Sequence, residues 1–294
     1  MPNIKSSNKS NTTEFIRYLN ELNYTFEVSS TTNTTIITYK DKYSKKKRFF
    51  TNGFKITYKE IRLQKELKEE VDKNIKGKEI NYKGEKIDYY KFDNSLQYMI
   101  DTTGDCLDIT NVYEMDITSA YFKSLFNLKY ISEEFYNKCK KLPKYIRLRL
   151  VGSLATKKLI EKYENGERID FKIKQNLIHR EVYFHNCYEV GRVMQECSEA
   201  IQDYFIFYWV DGIYFQRDMR SHKNNDPCKQ IIQTIFEKNN LEYSINDLNK
   251  ISLHNVKDNI ILKCWKNKKL KSYFSIPYRN VKKYVLDEEF FTIT

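Results

Sequence analysis

Two aspartates of the chain stand where a carboxylate could bind a metal ion. Asp116 follows a predicted strand over 112–115 and precedes a predicted helix over 117–127. Asp211 lies within 204–216, where two apolar runs are broken by Asp-Gly, a strong signal for a tight β-hairpin. Mg²⁺ binds carboxylate oxygens, and phosphoryl transfer can use two such ions about 4 Å apart. In the alternative interpretation, Asp116 only caps a helix and Asp211 only occupies a turn.

The elements that must position these aspartates predict an α+β fold, with helices packed on an antiparallel sheet. Gly212 is expected to supply the positive φ that the hairpin turn needs. Apolar residues at helical spacing predict a long helix over 179–203, directly before the hairpin. The other predicted helices are 13–23, 57–75, 131–141 and 144–164, and the other predicted strands are 24–30 and 34–40, with a strand or loop at 169–175.

Two short motifs resemble those of family B DNA polymerases. "MDITSAYF" at 115–122 resembles motif A, Asp-x-x-Ser-Leu-Tyr-Pro, with matches at Asp116, Ser119 and Tyr121. "FYWVDGIYF" at 207–215 resembles motif C, Tyr-x-Asp-Thr-Asp-Ser-Ile, with Asp211 on the second, metal-binding aspartate. Departures from the two patterns are Ala120, Phe122, Trp209, Val210 and Gly212, and Trp209 stands in place of the first motif C aspartate.

The resemblance implies a polymerase palm of a viral or mobile-element type. Asp116 and Asp211 would be the catalytic residues and would hold Mg²⁺ or Mn²⁺, while Ser119 and Tyr121 would bind the nucleotide. Tyr121 would pack beneath the sugar and favour deoxynucleotides. Only 95 residues separate the two aspartates (211 minus 116), which implies reduced fingers, and the chain before motif A is too short for the usual proofreading exonuclease.

The expected domains follow from that comparison. They are a disordered tail at 1–12, a small N-terminal α+β region at 13–100, and a palm-like domain at 101–294. Within the palm-like domain, short fingers are expected at about 128–178 and a thumb-like part at about 220–294.

Basic residues supply the remaining predicted contacts. Lys144, Arg147 and Lys158 are candidates for the triphosphate, although the helix predicted there could equally present a solvated basic face. Lys271 and Tyr273 resemble the Lys-x-Tyr element that grips a primer end in this family. Lys46, Lys47 and Arg48 lie in a basic stretch that is either a solvated turn or a phosphate-contacting loop. Glu114 is either a third acidic ligand or a solvated edge residue.

Composition indicates the class of partner. Lys plus Arg is 51 and Asp plus Glu is 39, a net charge of +12 that favours nucleic acid. The expected partners are a DNA primer-template and deoxynucleoside triphosphates, with replication proteins as further candidates. Six cysteines without a CxxC pair argue against structural zinc and favour the reducing cytoplasm, and no stretch predicts a membrane helix.

Three functions remain open at this point. The first is a nucleotidyltransferase that adds deoxynucleotides to a primer 3′ end by two-metal catalysis. The second is a catalytically weak nucleic-acid-binding replication accessory that keeps the palm fold. The third is an unrelated basic α+β protein in which Asp211 is only a turn residue.

Overall fold

The computed structural model of the chain describes residues 9–31, 34–40, 44–51, 58–80, 89–93, 96, 106–218, 220, 226–256 and 259–277. Among them are seven helices of more than one residue and two antiparallel sheets, so the predicted α+β class is confirmed. The helices are α1 Lys9–Glu21, α2 Tyr58–Ile75, α3 Ala120–Asn127, α4 Glu133–Lys140, α5 Lys144–Gly152, α6 Leu177–Ala200 and α7 Pro227–Lys238. No helix in these residues is long and apolar enough to span a bilayer.

The strands divide between a five-stranded and a seven-stranded sheet. The smaller sheet has the order β3-β2-β1-β6-β7, and the larger has the order β12-β11-β10-β5-β9-β8-β4. The strands are β1 Phe26–Ser30, β2 Thr34–Lys40, β3 Lys45–Thr51, β4 Tyr90–Phe92, β5 Cys106–Ile117, β6 Lys158–Glu164, β7 Glu167–Lys174, β8 Phe205–Trp209, β9 Gly212–Gln216, β10 Tyr243–Val256, β11 Asn259–Lys266 and β12 Lys269–Pro277.

The contacts divide the chain into two compact units. One unit comprises residues 1–79 and 137–183, and the other comprises 80–136 and 184–294. This division differs from the predicted one, because most of the segment expected to form fingers groups with the N-terminal part. The segment expected to form a thumb contributes β10, β11 and β12 to the larger sheet. Strand β10 pairs with β5, from the pair Tyr243–Ile117 at one end to the pair His254–Cys106 at the other.

The larger sheet has an apolar core on each face. On one face, Met115, Ile117 and Ile213 pack with Val193 and Met194 of α6, and with residues of α7. The other face is concave: Phe274 of β12 lies 5.3 Å (ring centroids) from Phe207 of β8, although four strands lie between them in the sheet order. The larger sheet therefore curls into a half-barrel, and alternate residues of β5 face α6 or the concave side.

The smaller sheet packs one face on α1. Phe15 and Leu19 of the helix are buried with Phe26, Val28 and Ile37 of β1 and β2. Because side chains alternate along a strand, Glu27 of β1 and Thr38 of β2, which pair with each other, belong to the other face.

Several local predictions are confirmed. The strands over 24–30 and 34–40 correspond to β1 and β2, and the helix over 57–75 corresponds to α2. The helix over 179–203 and the hairpin over 204–216 are also present. Residues 169–175, left as a strand or a loop, form most of β7.

Other local predictions are wrong for identifiable reasons. The helix predicted over 144–164 ends at Gly152, because β6 pairs with β1 over 159–163 and with β7 over 158–164, which buries Ile160 in the sheet. The basic stretch predicted to be a turn or loop forms β3, which pairs with β2 along its whole length. Residues 9–12 of the expected disordered tail begin α1, and residues 1–8 lie outside the described residues.

Candidate functional site

Asp116 lies near the end of β5, and Asp211 lies in the turn between β8 and β9, at the same end of the larger sheet. Asp116 of β5 pairs with Gly212 of β9, the residue that follows Asp211. The backbone N–H of Ile117 donates to the carbonyl of Asp211 at 2.9 Å. Both aspartates are half-buried, so water and a small ligand have access to them. Asp116 does not cap α3, because Ser119 occupies that position.

Gly212 allows the two strands to come together beside the Asp116 carboxylate. A Cβ atom on Gly212 would lie 3.3 Å from Oδ1 of Asp116, closer than a relaxed contact. The prediction that Gly212 supplies a positive φ is wrong: that conformation belongs to Val210, at φ 56°. Gly212 is required by space rather than by backbone conformation.

Val210 holds a strained conformation next to Asp211. A β-branched residue rarely adopts a left-handed backbone, and the strain is on the order of 1–3 kcal/mol. Two hydrogen bonds fix the turn: the Val210 N–H donates to the Tyr89 carbonyl at 2.7 Å, and the Asp211 carbonyl accepts from Ile117. Such strain persists only where surrounding contacts impose it, and it is frequent at functional sites.

Glu114 lies two residues before Asp116, on the same face of β5. Its side chain is buried, and its Oε1 accepts a hydrogen bond from the Tyr214 hydroxyl at 2.9 Å. Its Oε2 accepts from Nζ of Lys271, which makes an ion pair. Burial lowers the pKa of the Lys271 ammonium. Glu114 is therefore engaged by a phenol and an ammonium, and it is not a solvated edge residue.

Tyr214 donates to Glu114 and lies close enough to Asp116 and Asp211 for both to affect its pKa. Burial, followed by nearby groups that include Asp116 and Asp211, raises the pKa of its phenol. The Tyr214 ring stacks on Phe207 with the two centroids 4.2 Å apart. The phenol therefore stays protonated at neutral pH and donates to Glu114 beside the aspartate pair.

Ser119 and Tyr121 lie at the start of α3, just after Asp116. Ser119 is the N-cap with φ 56° and ψ 40°, and its side chain makes no capping hydrogen bond. Burial, then Cys187, Tyr89 and Asp211, raises the pKa of the Tyr121 phenol well above its usual value. Asp211 thus contributes to the raised pKa of Tyr121, while nucleotide binding by Ser119 and Tyr121 stays a prediction.

Trp209 occupies the position of the missing motif C aspartate. Its ring stacks on Tyr90 of β4 with the centroids 5.3 Å apart, and Phe274 lies 5.6 Å away. The residue therefore packs the sheet next to Gly212, with which it pairs. Within the described residues, no group of three or more His, Cys, Asp or Glu side chains could hold a metal ion. The candidate acidic site is a pair.

Neither a family model nor a curated protein matches the chain.

The predicted triphosphate contacts lie in the unit formed by 1–79 and 137–183. Lys144 begins α5 and Lys158 begins β6, and both are exposed. The Arg147 guanidinium donates to the backbone carbonyls of Lys140 (2.9 Å) and Leu142, at the end of α4. Arg147 therefore closes the turn between two helices. Nucleotide binding by the three residues stays a prediction.

The predicted DNA contacts fall in two places. Lys271 and Tyr273 lie on β12, where Tyr273 is 56% exposed while Lys271 binds Glu114. Lys46, Lys47 and Arg48 lie on β3, at the edge of the smaller sheet, and all three are exposed. Because side chains alternate along a strand, Lys47 belongs to the face opposite to that of its two neighbours.

Two residues of the site have roles that the sequence analysis did not predict. It assigned no role to Tyr214, although the position of Tyr214 two residues after Gly212 places it on the face of Asp116. Lys271 was assigned to the primer, but the partner of its ammonium is Glu114, 157 residues earlier in the chain. No local pattern signals a pairing at that separation.

Proposed function

We propose that the protein is a nucleotidyltransferase that extends the 3′ end of a primer with deoxynucleotides. The observation that carries the proposal is the position of Asp116 beside the turn that carries Asp211, where Asp116 pairs with Gly212 and the Ile117 N–H donates to the Asp211 carbonyl, with Gly212 leaving room beside the Asp116 carboxylate. Such a pair suits Mg²⁺, which is commonly bound by one or two carboxylates together with substrate phosphates and water.

The residues present fit a divalent cation. Both aspartates are half-buried, the space at Gly212 is open beside Oδ1 of Asp116, and the competing acid Glu114 is held by Lys271. When bound, Mg²⁺ or Mn²⁺ would lower the pKa of the primer hydroxyl and offset the charge of the triphosphate. Asp116 and Asp211 would hold the cations.

The chain's own residues would then orient the reactants for in-line transfer. The primer 3′ oxygen attacks the α-phosphorus, a new P–O bond forms, the bond to the leaving pyrophosphate breaks, and the hydroxyl proton passes to water. Tyr121 would lie beneath the sugar of the incoming nucleotide. Tyr214 and Lys271 would keep Glu114 hydrogen-bonded, so that its carboxylate does not compete for the cations.

A second function is favoured by one specific observation. Trp209 packs where motif C has a further aspartate, and the acidic site is only a pair in the described residues. A site with fewer acidic ligands favours weak catalysis. The alternative is a catalytically weak replication accessory that binds primer-template and recruits other replication proteins. Either function belongs in the cytoplasm, where nucleic acid and deoxynucleotides are available.

The test is primer extension with Mg²⁺ or Mn²⁺, comparing the wild type with Asp211→Asn. Asp203→Asn is the matched control, since it removes the same charge from an exposed position at the other end of β8. We expect extension by the wild type and the control, and a loss of at least 100-fold in Asp211→Asn, of the order seen when a key electrostatic group is removed.

Metal binding provides a readout that does not depend on activity. Tb³⁺ luminescence excited through Trp209, which pairs with the residue after Asp211, should fall in Asp116→Asn and Asp211→Asn and persist in Asp203→Asn. Metal binding and DNA binding without extension would favour the accessory. No metal-dependent signal in the wild type would contradict both functions that rely on the aspartate pair.

A further inference from the structure

A groove of about 540 Å³ lies on the smaller sheet, within the unit formed by residues 1–79 and 137–183. Its lining includes four lysines from β2, β3 and β6: Lys40, Lys45, Lys47 and Lys162. Among the described residues that line it, Glu27 is the one carboxylate. We infer that this groove binds the phosphodiester backbone of a single nucleic-acid strand.

The strand register brings these charges to one face. Lys47 pairs with Thr38, Thr38 with Glu27, and Glu27 with Lys162, which makes one row across four strands. Lys45 pairs with Lys40 two positions along the same face. Because paired residues present their side chains on the same side of a sheet, the four ammonium groups surround one concavity.

The charges in the groove repel one another. Lys40 and Lys45 stand directly opposite each other, and like charges at such positions destabilise a strand pair. Lys162 has a distant partner in Asp170, at 3.9 Å. Among the described ion pairs, none involves Lys40, Lys45 or Lys47. An anion that bridges these lysines would remove the repulsion.

The size and spacing of the groove favour a strand of nucleic acid. Lys45 and Lys47 are separated by about 7 Å along β3, which suits successive charges on a polymer. The volume is that of a small-ligand site, sufficient for a few linked nucleotides and too small for a double helix. Lysine binds phosphate as a mobile point charge, without requiring a particular base.

The residues of the basic stretch that line the groove differ from the trio predicted from the sequence to contact DNA. Only Lys47 of the predicted trio lines the groove. The Arg48 guanidinium lies 4.2 Å above the centre of the Phe15 ring on the α1 face, and Lys46 shares that face by alternation. The inference goes beyond nucleotidyl transfer, because it requires neither Asp116 nor Asp211.

The experiment measures binding of a fluorescein-labelled oligothymidylate to the full chain by anisotropy, across a salt series with EDTA present. The variant is Lys45→Gln/Lys47→Gln. The matched control is Lys73→Gln/Lys76→Gln, which removes two exposed lysines from the same unit away from the groove. Thermal unfolding checks that both double variants remain folded.

We expect the groove variant to bind at least tenfold more weakly, and the control to bind within twofold of the wild type. Each phosphate contact contributes about 0.7 to the slope of log K against log salt for a single strand, so the slope should fall by about 1.4 in the groove variant alone. Equal behaviour of the two double variants, or no binding by the wild type, would overturn the inference.

Unlabelled competitors identify the chemistry. Oligothymidylate and oligouridylate should both displace the probe, since the shared feature is the phosphodiester backbone. Equal displacement by polyglutamate would overturn the inference and indicate an acidic protein surface as the partner. The binding is measured with EDTA present and does not use a metal at the aspartate pair, so a failure of primer extension leaves this test intact.

Discussion

The ion pair between Lys271 and Glu114 allows two roles of Lys271 to be distinguished, as a structural partner of Glu114 and as a contact to the primer. The Glu114 side chain is 9% exposed and that of Lys271 is 31% exposed, so this is a buried carboxylate with a partly screened cation. Breaking a fully buried pair by removing one partner costs about 3–5 kcal/mol. With the exposure of Lys271 taken into account, we expect Lys271→Met to lower the free energy of unfolding by about 2–3 kcal/mol.

The reverse truncation should be milder. In Glu114→Gln the amide still accepts from Tyr214, and the freed ammonium can turn to water, so a loss of about 1 kcal/mol is expected. In the double variant no buried carboxylate remains, so the loss should fall short of the sum of the single losses by about 1–2 kcal/mol. Lys269→Met is the control, because Lys269 is exposed on the same strand.

The assay combines urea unfolding with primer-template affinity for the four variants. If Lys271 is the partner of Glu114, Lys271→Met should lower the urea midpoint, and the loss in the double variant should be smaller than the sum of the two single losses. Lys271 as a primer contact predicts weaker DNA binding with an unchanged midpoint. Additivity of the two single losses within about 0.5 kcal/mol would refute the ion pair as a stabilising element.

Two further predictions concern the aromatic and thiol groups. If the proposed function holds, Tyr121→Ala should increase incorporation of ribonucleotides relative to deoxynucleotides in primer extension. Tyr121→Phe should keep the wild-type preference, because the proposal places the ring rather than the hydroxyl beneath the sugar. Equal preferences in all three proteins would contradict this role. Ellman's reagent should modify about one thiol of the native chain quickly, that of exposed Cys106, since the other five are buried and burial raises the pKa of Cys139 and Cys264 to about 11 and of Cys228 to about 12. Fast reaction of any thiol in Cys106→Ser would show that the packing around the buried cysteines opens.

Local sequence patterns predicted the strand that carries Asp116 and the hairpin that carries Asp211. Asp-Gly between apolar runs indicated the hairpin of β8 and β9, and a strand ending at Asp116 indicated β5. The identity of the strained residue could not be predicted in this way, because Val210 is held by bonds from Tyr89 and from the partner strand rather than by its own preference.

The predictions that were wrong depend on pairing between strands. The stretch 158–164 was predicted as part of a helix, but it forms a hairpin with β7, and its other edge pairs with β1. Glu114 could not be assigned from sequence either, since its partner Lys271 reaches it through the curl of the larger sheet. The pairings with β1 and with Lys271 join residues more than 100 positions apart, which a local window does not include.

The pairing of β1 with β6 has a consequence for synthesis on the ribosome. The hairpins of β1, β2 and β3 emerge first, but β1 must wait for residues 158–164 before its second edge is covered. Until then the nascent chain exposes an open strand edge, which is a site for misassociation between chains. Neither compact unit is a continuous segment, so a truncation at residue 100 or 136 would leave that edge permanently open. A soluble fragment should instead contain both parts of the first unit, with residues 1–79 joined to residues 137–183 by a short flexible linker.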